Sequence, residues 1–168
     1  MPLYPALAPA GRDAYLRLVP LVVRNAASEE FGLAGEIVVE AYRTLGDGGD
    51  EFYERELRDV AGRVASSDVL VAEDDGRVVG CVTFVDGLRE LSEVDDPDAA
   101  TIRMLGVATA ARGRGIGELL VRECIERARA SGRRSVRLDT RTSMTDAHRL
   151  YLRLGFRRAP EHDWSPAP

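Results

Sequence analysis

Between an apolar strand pattern that ends at Val107 and a helical stripe that begins at Ile116, the chain reads Ala111-Arg-Gly-Arg-Gly-Ile-Gly-Glu-Leu-Leu120. This glycine-rich passage from strand to helix constrains the fold more than any other stretch. A helix start presents N–H groups with no intrahelical partner and about half a positive charge. Anions bind there, phosphate above all. Gly113, Gly115 and Gly117 let the backbone approach such an anion. Arg112 and Arg114 add charge and bidentate donors. The combination predicts a diphosphate ligand.

The rest of the pattern surrounds that junction with alternating elements. Leu21–Arg24 reads as a short strand. Ser28, followed by Glu29 and Glu30, reads as a helix start, with Phe31, Ala34, Val38, Ala41 and Leu45 at helical spacing. The GDGGD stretch at 46–50 breaks that helix. A second begins near Asp50, with Tyr53, Leu57, Val60 and Val64 on one face. Val69–Glu73 and Arg77–Val85 flank Asp75-Gly76, a strong hairpin signal. Thr101–Val107 and Ser135–Thr140 read as strands on either side of the third helix, which stops near Gly132. Ser143-Met-Thr-Asp146 has capping-box form and opens a fourth helix. Phe156–Ala159 reads as a last short strand. The order β-α-α-β-β-β-α-β-α-β predicts one α/β domain over residues 19–160, between a loose arm at 1–18 and a tail at 161–168.

Composition narrows the ligand. The chain has 168 residues, a formal net charge of −5 and 23 basic residues, every one of them arginine. The negative balance argues against a broad nucleic-acid surface. No window approaches the roughly 18 apolar residues of a membrane span, and the N-terminus lacks the basic start of a secretory signal. Cys81 and Cys124 stand far apart in apolar patterns and read as buried thiols of a cytoplasmic protein. No His, Cys and carboxylate spacing suggests a metal. A P-loop needs a lysine, and this chain has none. A dinucleotide loop needs a third glycine where Glu118 or Leu120 stands. Coenzyme A pyrophosphate is the reading that remains.

Arg112-Gly-Arg-Gly-Ile-Gly117 resembles the [Q/R]-x-x-G-x-[G/A] acetyl-CoA motif of the GNAT superfamily of N-acetyltransferases. Ala147-His-Arg-Leu-Tyr-Leu-Arg-Leu-Gly-Phe156 resembles that family's A-x-x-L-Y-x-x-x-G-F signature, and the two stand in the expected order. The resemblance covers roughly residues 21–160. It implies a mixed, mainly antiparallel sheet flanked by about four helices, with a closing strand that is not evident in this chain. It implies that Leu105, Gly106 and Val107 pair with the pantetheine arm, and that Arg112, Gly113, Arg114, Gly115, Ile116, Gly117 and Glu118 surround the pyrophosphate. It further implies that Tyr151 protonates the departing thiolate. Met144 stands where family members often carry an asparagine that touches the pantetheine arm.

The acceptor side is less defined. The reaction implied is acetyl transfer from acetyl-CoA to an amine, of a small molecule or of a peptide or protein. A non-catalytic acyl-CoA sensor is the alternative. Asp139 and Glu93 are the candidate bases, with Glu36 and Glu40 as further carboxylates at the rim. Arg103 alternates with Ile102 and Met104 and is a candidate to grip a carboxylate of the acceptor. The acidic loop 86–99 could instead draw a cationic one. His148 reads as a surface residue, and His162 shows no partner. Prolines at 160, 166 and 168 are poor strand residues. An incomplete sheet edge would make a homodimer plausible.

Overall fold

Asp75 and Gly76 both take positive φ, 50° and 72°, which closes a two-residue hairpin turn between the longest paired strands of the domain. The computed structural model describes residues 21–44, 51–88, 91 and 96–160. The expected arm, the GDGGD break, the tail, Glu93 and His162 lie outside these residues. Among the described residues there are five strands: β1 (Val22–Asn25), β2 (Asp68–Asp74), β3 (Arg77–Asp86), β4 (Ala99–Val107) and β5 (Ser135–Arg137). They form one sheet in the order β1-β2-β3-β4-β5. The first four are antiparallel, and β5 runs parallel to β4.

Alternation along the strands gives the sheet two apolar faces. Leu70, Ala72, Val82, Phe84 and Ile102 pack with Ile116, Leu120, Val121 and Cys124. The last four belong to α4 (Ile116–Ala130), the crossover helix from β4 to β5. Val69, Val71, Cys81 and Met104 face the other way and pack with Ala34, Val38 and Val39 of α1 (Phe31–Tyr42). Both cysteines are buried free thiols, and burial pushes each up to about 12. Among the described residues no helix is long and apolar enough to cross a membrane.

Four differences from the sequence reading have local causes. Ser28–Glu30 forms a 3-10 turn before α1, and Glu30 Oε2 accepts from the Ala27 N–H at 2.8 Å. The second helix divides at Asp59, whose carboxylate accepts from the Gly62 N–H at 2.9 Å. It is therefore α2 (Glu51–Arg58) and α3 (Val60–Arg63), which makes five α-helices in place of about four. Ser143 caps nothing: Met144 is the N-cap residue of α5 (Thr145–Arg153), without a side-chain cap bond. Met144 itself is 9% exposed, so burial of its side chain sets the helix start. Finally, 156–159 form no strand. Gly155, at φ 87°, turns the chain back after α5, and the Phe156 N–H donates to the Tyr151 carbonyl at 3.0 Å.

Candidate active site

The site begins where β4 and β5 part. Ala99, Ala100 and Thr101 pair with Ser135, Val136 and Arg137, and there the ladder ends. β4 continues to Val107, paired on its other side with β3 as far as Gly80. From Ile102 onward its β5-facing edge is open, and Leu138–Thr140 have left the sheet. Between the pairs Arg103–Thr83 and Gly106–Cys81, β4 runs one residue longer than β3, a bulge. Met104 takes φ 53° within it, an uncommon conformation for a side-chain-bearing residue. Such strain persists where its surroundings enforce it and marks candidate functional positions. Gly106 lies under α1, where a Cβ would stand 2.8 Å from the Val38 Cα. Glycine there lets α1 rest directly on the strand.

The open edge leads into the glycine-arginine loop. Gly115 is the N-cap residue of α4 at φ 79°, and Gly113 takes φ 74°. The Leu119 N–H is the first to enter the helix ladder, donating to the Gly115 carbonyl at 3.0 Å. Among the described residues, the N–H groups of residues 113–118 make no hydrogen bond. This loop therefore fits an anionic diphosphate on its own geometry. Its arginines are engaged elsewhere. Arg112 Nε donates to the Val107 carbonyl at 3.2 Å, and Arg114 pairs with Asp74 at 2.7 Å. Glu118 pairs with Arg122 at 2.7 Å and with Arg153 at 3.5 Å, joining the start of α4 to α5. The hydrogen bond from Arg122 holds its carboxyl below the usual range.

Tyr151 stands on α5 and packs against the α4 face of the core, its ring 5.6 Å from that of Phe156. The Leu-Gly-Phe turn after α5 sets that contact. Burial pushes the phenol up to about 12. Its charge would also be felt by Tyr42 of α1, on the opposite face of the sheet. Tyr42 and Tyr53 meet edge to face at 5.9 Å, and burial raises both phenols. Arg103, Glu56 and Arg141 surround Tyr53 electrostatically. Tyr42 and Tyr53 thus form a wall of two tyrosines, with Arg103, Arg141 and Glu56 around it. Sequence reasoning had Arg103 and Tyr151. It missed Tyr42, Glu56 and Arg141, and placed Tyr53 only on an apolar stripe, because a half-buried tyrosine at helical spacing looks like core.

The candidate carboxylates separate. Asp139 is exposed just beyond β5, with no hydrogen bond or ion pair among the described residues. Glu36 pairs with Arg58 at 2.7 Å, and Glu40 accepts from Thr109 Oγ1 at 2.5 Å. In the acidic loop, Asp86, Asp96 and Asp98 pair with Arg133, Arg137 and Arg134. Those acids tie the loop to the chain around β5, which weakens them as a lure for cations. His148 is half-buried, not a plain surface residue, and its Nε2 meets Thr140 Oγ1. Among the described residues no group of His, Cys, Asp and Glu could hold a metal ion.

A strand with one open edge, leading to a helix start with unpaired N–H groups, defines the class: an α/β domain with an anion-receptive junction between β4 and α4. The Acetyltransferase (GNAT) family model matches residues 35–156, and the chain belongs to that family. It is 28% identical over 159 residues to an uncharacterised N-acetyltransferase of Methanocaldococcus jannaschii, covering 88% of this chain and 65% of that one. It is 36% identical over 96 residues to the mycothiol acetyltransferase of Corynebacterium glutamicum, covering 57% of this chain and 30% of that one. The chain thus spans less than two thirds of the length of these curated relatives. Among solved structures, a GNAT family acetyltransferase from Brucella melitensis in complex with acetyl-CoA superposes with a TM-score of 0.64 at 22% identity. The match covers 83% of this chain and 84% of that one.

Proposed function

We propose that the protein is an N-acetyltransferase that moves the acetyl group of acetyl-CoA directly onto a primary amine. The observation that carries this reading is the continuity between the open edge of β4 and the unpaired N–H groups of residues 113–118. Leu105, Gly106 and Val107 hydrogen-bond the pantetheine arm as an added strand would. The loop backbone holds the pyrophosphate. Arg112 and Arg114 brace the loop and raise its potential.

The neutral amine attacks the thioester carbonyl, a C–N bond forms, and the C–S bond breaks. Tyr151 is fully protonated at neutral pH and donates to the departing thiolate. Its phenol, pushed up to about 12, is a weaker acid than an ordinary thiol of about 8.5. Its main contribution is therefore a hydrogen bond that strengthens as charge grows on sulfur. The surplus proton of the amine passes to Asp139 or Glu93, or to water. Thiol release from acetyl-CoA, measured with polyamines, amino acids, aminoglycosides and peptides, tests the reading. Amine-dependent release supports it. Tight CoA binding with no release across the panel overturns it in favour of an acyl-CoA sensor.

A further inference from the structure

We propose that the core beneath α3 holds a small monovalent anion of chloride size, bound between the Arg63 guanidinium and the Thr83 hydroxyl. The inference does not depend on the acetyl-transfer reading.

Arg63 closes the short helix α3 and is 4% exposed. Its Nη1 donates to the carbonyls of Glu56 and Leu57, at 2.6 Å and 3.0 Å, which ties the guanidinium to the end of α2. Its Nε and Nη2 are buried with no hydrogen-bond partner among the described residues. Thr83 of β3 is fully buried, and its Oγ1 also lacks a partner among the described residues. The two side chains are neighbours in the fold. Thr83 pairs with Val69 of β2, which lies in the core cluster that contains Val60 of α3 and Cys81. Arg63 feels the Cys81 thiol and the Arg103 guanidinium electrostatically. Thr83 stands two residues along β3 from the first and directly across from the second. Buried polar groups are nearly always hydrogen-bonded, so two such orphans on packed elements point to a shared partner.

That partner has to accept hydrogen bonds, since each group offers an N–H or an O–H. It also has to bring negative charge. Burial lowers the Arg63 guanidinium from its ordinary value, the effect of taking a cation out of water. Three nearby groups fail to neutralise it. Asp59 is exposed, and its carboxylate caps the Gly62 N–H at 2.9 Å. Glu56 is 38% exposed, and its carboxylate faces Arg103 at 3.8 Å. Burial pushes the Cys81 thiol up to about 12, so it is neutral at physiological pH. Arg63 itself forms no ion pair among the described residues. Arg103 has partners of its own, and the site rests on Arg63 and Thr83 alone. A water would satisfy the hydrogen bonds and leave the charge, whereas an anion answers both. The enclosure selects a monatomic ion, because a larger oxyanion could not enter without uncovering both side chains. Such an ion joins α3 and the end of α2 to β3, and so seats the helix that carries Tyr53 and Glu56.

The test is urea unfolding at a constant ionic strength of about 0.15 M, with sodium chloride exchanged stepwise for sodium gluconate, whose anion is too large for the site. The midpoint is expected to rise with chloride and to saturate, as for a ligand that binds only the folded chain. Bromide should replace chloride. In Thr83→Val the half-saturating chloride concentration should rise about tenfold, the size of one hydrogen bond to a charged partner, and Thr83→Ser should restore it. In Arg63→Met the chloride response should vanish. A midpoint equal in chloride and gluconate overturns the inference and leaves a water between the two groups. A chloride response unchanged in Thr83→Val overturns it as well. If Arg63→Met does not fold, the wild type and the two Thr83 variants decide. Crystals soaked in bromide give a second readout: an anomalous peak within hydrogen-bond reach of Arg63 and Thr83 Oγ1 supports the site, and a featureless map there overturns it.

Discussion

In the proposed mechanism Tyr151 serves the core and the reaction together. Its ring fills space against Phe156, and its hydroxyl is kept protonated by the same burial, up to about 12. Tyr151→Phe keeps the ring and removes the donor. Turnover is expected to fall on the order of 10²-fold, while the Kd for CoA stays within about twofold. Steady-state thiol release and CoA titration on the same preparation measure both, and unchanged turnover from pH 6 to 9 would remove Tyr151 from the mechanism. Gly115 is a different kind of residue-scale case. No atom stands within 4 Å of a Cβ added there, yet φ is 79°. Gly115→Ala therefore clashes with nothing and costs only the left-handed conformation, about 1–2 kcal/mol. Denaturant unfolding should show that loss. CoA affinity should fall with it, because the N-cap of α4 rearranges to escape the strain.

At the scale of elements, what could be read from the sequence was what local chemistry decides. Asp75-Gly76 fixed the hairpin, the spacing of Ile116, Leu120 and Cys124 fixed the buried face of α4, and Gly155 fixed the end of α5. What could not be read was decided by contacts between elements. Ser143 has the chemistry of a cap, but burial of Met144 moved the start of α5 past it. Ser135–Thr140 has strand propensity throughout, yet it pairs only as far as Arg137, opposite Thr101, while β4 runs on to Val107. The open edge is thus a property of two strands, and neither segment announces it alone. The tyrosine wall was illegible for the same reason, since Tyr42 and Tyr53 come from two helices and Arg141 from the segment between β5 and α5. Gly106 tests whether the seat of α1 matters. A Cβ at that position meets the Val38 Cα at 2.8 Å and the Ile37 carbonyl oxygen at 3.1 Å, backbone atoms that cannot rotate away. Gly106→Ala should cost about 1–3 kcal/mol by overpacking, read as a lower denaturant midpoint. Gly117→Ala is the contrast. Its Cβ would make an ordinary 3.5 Å contact with Leu150 Cδ2 inside a helix, so stability should hold or rise by up to about 1 kcal/mol.

For the molecule as a whole, the absence of lysine makes the alkaline range unusually legible. All 23 basic residues are arginine, with pKa values above about 12, so no ammonium side chain titrates near 10. The side chains that change charge between pH 8.5 and 12 are the thiols and the phenols. Burial raises Cys81, Cys124 and Tyr151 to about 12. It raises Tyr42 and Tyr53 as well. Below about pH 7.5 these groups are neutral in both the folded and the unfolded chain, and their burial is fully compatible with folding. As pH climbs, the unfolded chain ionises first and binds fewer protons than the folded one, so stability falls with pH. The fall should begin near pH 8 with the thiols, steepen above about pH 9.5 with the phenols, and level off only beyond about 12. Urea midpoints followed by circular dichroism at half-unit steps from pH 8 to 11.5 trace it, with tyrosinate absorbance near 295 nm reporting when the phenols ionise. Replacing both cysteines by alanine should delay the onset by about one pH unit and leave the steeper phenol limb in place. A midpoint that stays flat through pH 11 would mean that these five side chains are hydrated in the folded protein, and that the tyrosine wall is open to water.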